Sequence, residues 1–314
     1  MSSTKRSMRK TYGESLIALG EQDERIIAIS ADVANSDHSL LFGERFPDRF
    51  FNVGIAEQAL VDIGVGFASS GRIPFVNTFA FLFATRALEM VRTHLCYGRA
   101  NVKLMGAYAG LSDSFDGPTH HSITDLAIMR SLPKMTVVSP ADPASLPSLL
   151  AATAEHEGPV YMRLCRNEIA DVHPQSVEHT IGKAAVLLDG SDLTLISTGV
   201  MLGRAHEAAG ILKGRGVSVR LVDMHTVKPL DTDAVLESAE GTKGIVTIEE
   251  HSVIGGLGGA VAEAIAEAGV PVPLGRVGLQ DEFAETGPYE AILDKHGLSV
   301  ASIVDKAQSV IAKR

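Results

Sequence analysis

A chain of 314 residues, 45% hydrophobic and 21% charged with 30 glycines, has enough material for two ordinary domains with their own cores. Its formal net charge of −10 argues against a nucleic-acid polyanion as the general partner, and no apolar run is long enough to span a membrane. The two cysteines, Cys96 and Cys165, stand far apart without a CxxC spacing, which excludes a disulfide scaffold and a cysteine zinc site.

In chain order, Lys5, Arg6, Arg9 and Lys10 make a basic start with no apolar stretch behind it, so no signal peptide is expected and the protein reads as cytoplasmic. Residues 12–19 have helical spacing, and 25–30 (RIIAIS) form a buried-strand run that stops at Ala31 and Asp32. A polar loop, 34–39, leads into 50–78. This stretch opens extended at Phe50 and Val53, turns at Gly54, continues as a helix rich in small residues, and closes at Gly71 before a strand at 73–76. Residues 79–96 read as one helix, 101–108 as a strand, and 109–121 (AGLSDSFDGPTHH) as a loop. A short helix at 124–130, a strand at 135–139, a helix at 143–156 and a strand at 160–164 follow, the last ending in Cys165 and Arg166.

Residues 167–190 lose this periodicity and read as a linker. Strands and helices then alternate again at 193–197, 203–212, 217–222, 232–239, 244–249 and 257–268, with a strand at 276–279 and closing helices at 289–296 and 300–312. Continuous apolar strands alternating with helices predict mostly parallel sheets covered on both faces. The expected fold class is therefore α/β, as two consecutive domains, 1–170 and 191–314, joined by a linker at 171–190.

Ligands of such sheets sit beyond the carboxyl ends of the strands, so Asp32, the loop from Tyr108 to His121, and Arg166 are expected at one crevice. His120 and His121 beside Asp116 suit proton transfer near neutral pH, although Asp-Gly-Pro also makes an ordinary polar turn. Glu57, in the first turn of the small-residue helix, either complements the helix dipole or is a buried acid able to donate a hydrogen bond to a heterocyclic nitrogen. Ala59, Gly64, Gly66, Ala68 and Ser69 would let another backbone approach that helix, either within its own domain or across a subunit contact. Phe79, Phe81 and Phe83 are either core or the wall of an aromatic cofactor. Gly255, Gly256, Gly258 and Gly259 invite a dinucleotide reading, but Val261 breaks the GxGxxG pattern. Glu249, Glu250 and His251 read as a solvated strand end.

Taken together, VGIAEQ at 53–58, NTF at 77–79, DGPTHH at 116–121 and RSLPKMTVVSPAD at 130–142 resemble transketolase. They match its pyrimidine-binding domain in order and spacing, and 192–279 resembles its C-terminal domain. The resemblance implies thiamine diphosphate as cofactor and transfer of a two-carbon ketol unit between sugar phosphates. The family's further domain, which holds the diphosphate and Mg²⁺ through a GDG motif and a downstream Asn, has no counterpart in this sequence. The chain therefore resembles the C-terminal subunit of a split transketolase. An N-terminal partner subunit would supply that motif and the Mg²⁺, as two copies of each chain, and no metal ligand is expected here.

By the same resemblance, Glu57 matches the acid that hydrogen-bonds N1′ of the cofactor, and Phe79 the aromatic on its aminopyrimidine. Asp32 matches an aspartate near the cofactor, Asp116 one that reads a substrate hydroxyl, and His120 a histidine close to the reacting sugar. Arg9, Ser36 and Arg166 match the group that grips the acceptor phosphate. Tyr108 stands where the family has a phosphate-binding histidine, and Leu82 and Thr85 replace two aromatics of the pyrimidine cage, with Phe81 and Phe83 close by. The AGL run is closer to deoxyxylulose-phosphate synthase. A relative that decarboxylates a 2-oxo acid, and a non-catalytic relative, stay open as alternatives.

Overall fold

The computed structural model describes residues 5–312. Its first half carries β1 (Lys5–Ser7), β2 (Ile26–Ser30), β3 (Phe50–Asn52), β4 (Ile73–Phe79), β5 (Lys103–Ala107), β6 (Thr136–Val138), β7 (Val160–Leu164) and β8 (Glu168–Ala170). The second half carries β9 (Ala185–Leu188), β10 (Leu193–Ser197), β11 (Val219–Asp223), β12 (Thr226–Lys228), β13 (Ile245–Ser252) and β14 (Leu274–Leu279). One sheet runs β12-β6-β7-β5-β4-β2-β3 and the other β14-β13-β10-β11-β9, while β1 and β8 form a separate antiparallel pair. Within the large sheet every pairing is parallel except β12 with β6. Apolar clusters cover both faces of each sheet, as continuous strands such as IIAIS and VYMRL require. The two consecutive α/β units with mostly parallel sheets are thus present.

Two local expectations are corrected, and one strand enters that the sequence did not signal. Residues 79–96 are not one helix. Phe79 pairs with Ala107 and finishes β4, and the chain then makes Ala80–Ala84, Leu88–Met90 and a π-helical turn, Val91–Tyr97. The sheet ladder outcompetes the helix for Phe79. The stretch 167–190 is not structureless either, because β8 pairs with β1 and β9 is the antiparallel edge of the second sheet. An edge strand with Val186 and Leu188 facing water has the weak hydrophobic signal of a linker. β12 had no signal at all: its three residues cross from the second half to extend the first sheet.

The helix Glu57–Ser69 carries its small residues on two different faces. Gly64 is buried, and a Cβ there would stand 2.8 Å from Val76 Cγ2, so this glycine is needed for packing on β4. Ala59 and Gly66 are exposed, beside Ile55 (76% exposed) and Ile63 (37%). Only this outer face is open to a second subunit. Gly64→Val is expected to lower stability by ~1–3 kcal/mol through overpacking. The midpoint of urea unfolding measures it, and an unchanged midpoint would mean the helix is not seated on Val76.

The domain junction is polar and buried. Arg163 Nε and Nη2 donate to the two Asp125 oxygens at 2.8 and 3.0 Å, and Nη2 also reaches the carbonyls of Ser122 (2.9 Å) and Glu250 (3.2 Å). Glu249, Glu250 and His251, expected as a solvated strand end, are buried, because β13 runs between β10 and β14 and ends against the other domain. Among the described residues no helix is long and apolar enough to cross a membrane.

Candidate functional site

Because β2, β4, β5 and β7 are parallel and the last three adjoin in register, their carboxyl ends open on one edge. Asp32, Phe79, Tyr108 and Arg166 all lie at or just past those ends, as the strand-end argument predicts. Phe79 and Tyr108 stack with centroids 4.8 Å apart, since Phe79 pairs with Ala107 and Tyr108 follows it. The Phe81 ring lies near-parallel to Phe79 with centroids 6.5 Å apart, and the half-buried His120 ring stands edge-on to Phe81 at 5.1 Å. Thr119 and His120 share a 3.0 Å hydrogen bond at Nδ1.

Tyr108 sits at φ +59°, strained for a non-glycine residue, and its ring carries two guanidinium groups. The Arg9 and Arg166 carbons lie 5.4 and 4.9 Å from its centroid. Arg9 also donates to the Tyr108 hydroxyl (3.1 Å), to the Arg166 carbonyl (3.0 Å) and to the Ser36 carbonyl. Ser36 therefore contributes its backbone. The phenol in place of a histidine is a platform that spaces two fixed positive charges.

Asp113 was missed by the sequence reading. Fully buried, it accepts from Arg166 Nη1 at 2.7 Å through Oδ1, while its Oδ2 has no hydrogen-bond partner among the described residues. Burial first, and then the Asp116 charge, push its carboxyl up to about 6 against the pull of Arg166. His121 is buried with neither ring nitrogen partnered among the described residues, and burial lowers its pKa. Asn52, also missed, holds Asp32: its Nδ2 donates to Asp32 Oδ1 at 2.9 Å and its Oδ1 accepts from the Asp32 N–H at 3.1 Å.

Glu57 is 3% exposed at the first turn of its helix, where Ala56 provides no side-chain cap. Its only charged partner among the described residues is Arg86, whose Nη1 stands 3.5 Å from Oε2. Arg86 is itself 58% exposed, so a small swing of a solvated side chain uncovers the carboxyl. Leu82 is buried on the short helix after Phe79. Phe83 is wholly inside, edge-on to Tyr161 at 6.5 Å, and packs the core instead of lining the open edge. The alternating face of a five-residue helix decides this, and the sequence does not show which face turns in.

The loop 109–121 is fastened from the second domain. Leu111 N–H donates to Glu250 Oε1 at 2.7 Å, and Gly110, at φ +64°, packs directly on that carboxyl where no side chain would fit. Burial pushes Glu250 up to about 7. Glu249 turns the other way and accepts from the N–H groups of Leu257 (2.7 Å) and Gly258 (2.8 Å). The glycine-rich turn thus spends its amides on its own chain, which removes the dinucleotide reading.

Residues 4–171 match the transketolase pyrimidine-binding domain and residues 182–303 the transketolase C-terminal domain. This chain belongs to the transketolase family. A putative transketolase C-terminal section from Methanocaldococcus jannaschii is 38% identical over all of this chain and 99% of its own. A 6-deoxy-6-sulfo-D-fructose transketolase subunit from Clostridium sp. is 38% identical, over 98% of this chain and 95% of its own. Among solved structures, a split-gene transketolase described as an inactive β4 tetramer superposes with a TM-score of 0.90 at 40% identity, covering 98% of this chain and 99% of that one. Transketolases depend on thiamine diphosphate. The residues at the crevice fit its aminopyrimidine half, with a stacked aromatic at Phe79 and a buried acid at Glu57.

Proposed function

We propose that this chain is the pyrimidine-side subunit of a two-chain transketolase that moves a two-carbon ketol unit from a ketose to an aldose bearing a terminal oxyanion. The observation that carries the reading is the joint placement of Phe79, Tyr108, Arg9 and Arg166 at one strand edge, together with Glu57 buried in the first turn of the helix that follows β3. Thiamine diphosphate, when bound, supplies the carbanion chemistry that a protein side chain cannot. Phe79 offers its face to the aminopyrimidine, and Leu82 backs it. Glu57 holds a proton at the pyrimidine nitrogen N1′. Asp32, fixed by Asn52, borders the cofactor. His120 and Asp116 position the sugar hydroxyls, and His120 moves a proton at the reacting carbonyl oxygen.

Farther out, Arg9 and Arg166 present two guanidiniums to the end of the acceptor, held apart by Tyr108. One relative is named for 6-deoxy-6-sulfo-D-fructose, a sugar with a sulfonate where many sugars carry a phosphate. Both are tetrahedral oxyanions that the same pair can grip. Mg²⁺ and the diphosphate belong to a partner subunit bearing the GDG motif, in a complex of two copies of each chain.

The deciding experiment supplies that partner, thiamine diphosphate and Mg²⁺, and offers either a ketose with an aldose phosphate or pyruvate as sole donor. Ketol transfer without CO₂ release is expected. Decarboxylation of pyruvate alone would favour the synthase-like alternative, and no reaction of either kind would favour a non-catalytic role. Arg166→Ala is expected to raise the apparent KM for a phosphorylated acceptor about 10-fold or more, with little effect on an unphosphorylated one. Equal losses for both acceptors would show that Arg166 only supports the loop through Asp113.

A further inference from the structure

A second group of polar side chains is buried where the two domains meet, and it shares no residue with the crevice. Asp142 lies in the loop after β6, His173 and His179 lie between β8 and β9, and Asp223 ends β11. Asp142 and Asp223 are 0% exposed, His173 is 5%, and His179 is half-buried. His173 Nδ1 stands 3.1 Å from Asp142 Oδ2, which also accepts from the backbone N–H of Val172 (2.8 Å) and His173 (2.9 Å). His173 Nε2 faces Asp223 Oδ2 at 3.3 Å without hydrogen-bonding geometry. Among the described residues, neither Asp223 oxygen and neither His179 ring nitrogen has a hydrogen-bond partner. One ligand atom from each of His173, His179 and Asp223 lies within 4.8 Å of the other two.

Burying a carboxylate and an imidazole with all their polar atoms unpaired is costly unless a cation joins them. A proton on His173 would serve one Asp223 oxygen and leave His179 with nothing. We propose that His173 Nε2, a ring nitrogen of His179 and the Asp223 carboxylate bind a divalent transition metal, with Zn²⁺ the ion that fits. Two imidazoles and a carboxylate are a nitrogen-rich set, unsuited to Mg²⁺ or Ca²⁺. Tetrahedral Zn²⁺ with bonds of ~2.0–2.2 Å places neighbouring ligand atoms roughly 3.3–3.5 Å apart, which matches the His173–Asp223 spacing. Asp142 completes the pattern from outside. By accepting from Nδ1 it turns Nε2 toward the ion, as an outer-shell carboxylate does for a metal-bound histidine. The fourth position is left for water or for His225, whose Nε2 is also unpartnered and whose ring packs edge-on to His179 at 4.7 Å. The ligands come from the connecting segment and from the second sheet, and Asp142 comes from the first domain. The ion would therefore pin the connection between the two domains and act on stability, not on the reaction.

The test uses the full, tag-free chain after chelator treatment, titrated with Zn²⁺ by calorimetry and checked by elemental analysis and thermal unfolding. One Zn²⁺ per chain and a higher Tm are expected, and Co²⁺ in its place should give the visible bands of a tetrahedral site. His179→Ala, at the least buried ligand, and Asp223→Asn should each lower Zn²⁺ affinity ~100-fold or more, against ~10–100-fold for the outer-shell Asp142→Asn. His206→Ala, on an exposed helix position, should leave it unchanged. No stoichiometric Zn²⁺ in the wild-type chain with an unmoved Tm would overturn the site, leaving His173 as an imidazolium held between two carboxylates. Undiminished affinity in His179→Ala would overturn it as well.

Discussion

Glu57→Gln is expected to lower the turnover of the assembled enzyme at least ~100-fold, the range of a positioned acid–base group. Glutamine keeps the shape of the side chain in its buried place at the helix start, so the packing of Leu60, Val61 and Gly64 on β4 stays intact. It loses the carboxyl group proposed to act at N1′ of the pyrimidine. Arg86 loses its ion pair, but a side chain 58% exposed is solvated without it. Affinity for thiamine diphosphate should therefore fall far less than turnover. A coupled ketol-transfer assay gives the first quantity and calorimetry the second. Near-native turnover with the partner subunit present would remove Glu57 from the mechanism.

The other large effect concerns the chain by itself, which is expected to transfer no ketol group and to bind thiamine diphosphate weakly. The crevice offers an aromatic face and an acid for the pyrimidine half. The diphosphate needs a divalent cation and oxygen ligands to hold it. The glycine-rich turn at 255–259 cannot substitute, because Glu249 occupies the amides of Leu257 and Gly258. Ile55, Ala59, Ile63 and Gly66 leave an outer helix face on which a partner can sit. Adding a GDG-bearing partner should restore both cofactor binding and transfer. Tight, Mg²⁺-dependent binding by the single chain would show that the diphosphate site lies within it.

The sequence by itself determined the α/β class and the positions of the crevice residues. Short, largely apolar runs such as 26–30 and 160–164, too short for ordinary helices, read as strands buried on both faces. In a parallel sheet the residues just past their carboxyl ends must share an edge, which brought Asp32, Tyr108 and Arg166 together. Motif order added Glu57, Phe79, Asp116 and His120, since a short motif survives without knowledge of what packs against it. Other features depended on partners distant in the chain, and only the tertiary structure decided them. Phe83 turned into the core and Gly64 onto Val76 because short helices do not reveal which face meets the sheet. Tyr108 became a platform for two arginines once the first-turn Arg9 packed over the edge of the sheet. Glu249 and Glu250, polar in sequence, are buried with their carboxyl oxygens accepting from backbone N–H groups of the loop 109–121 and of a helix start, both distant in the chain or hidden from the sequence pattern. The His173, His179 and Asp223 cluster follows the same rule. No ligand spacing marks it along the chain, because its atoms meet only when β11 and the segment before β9 close on each other at the domain junction.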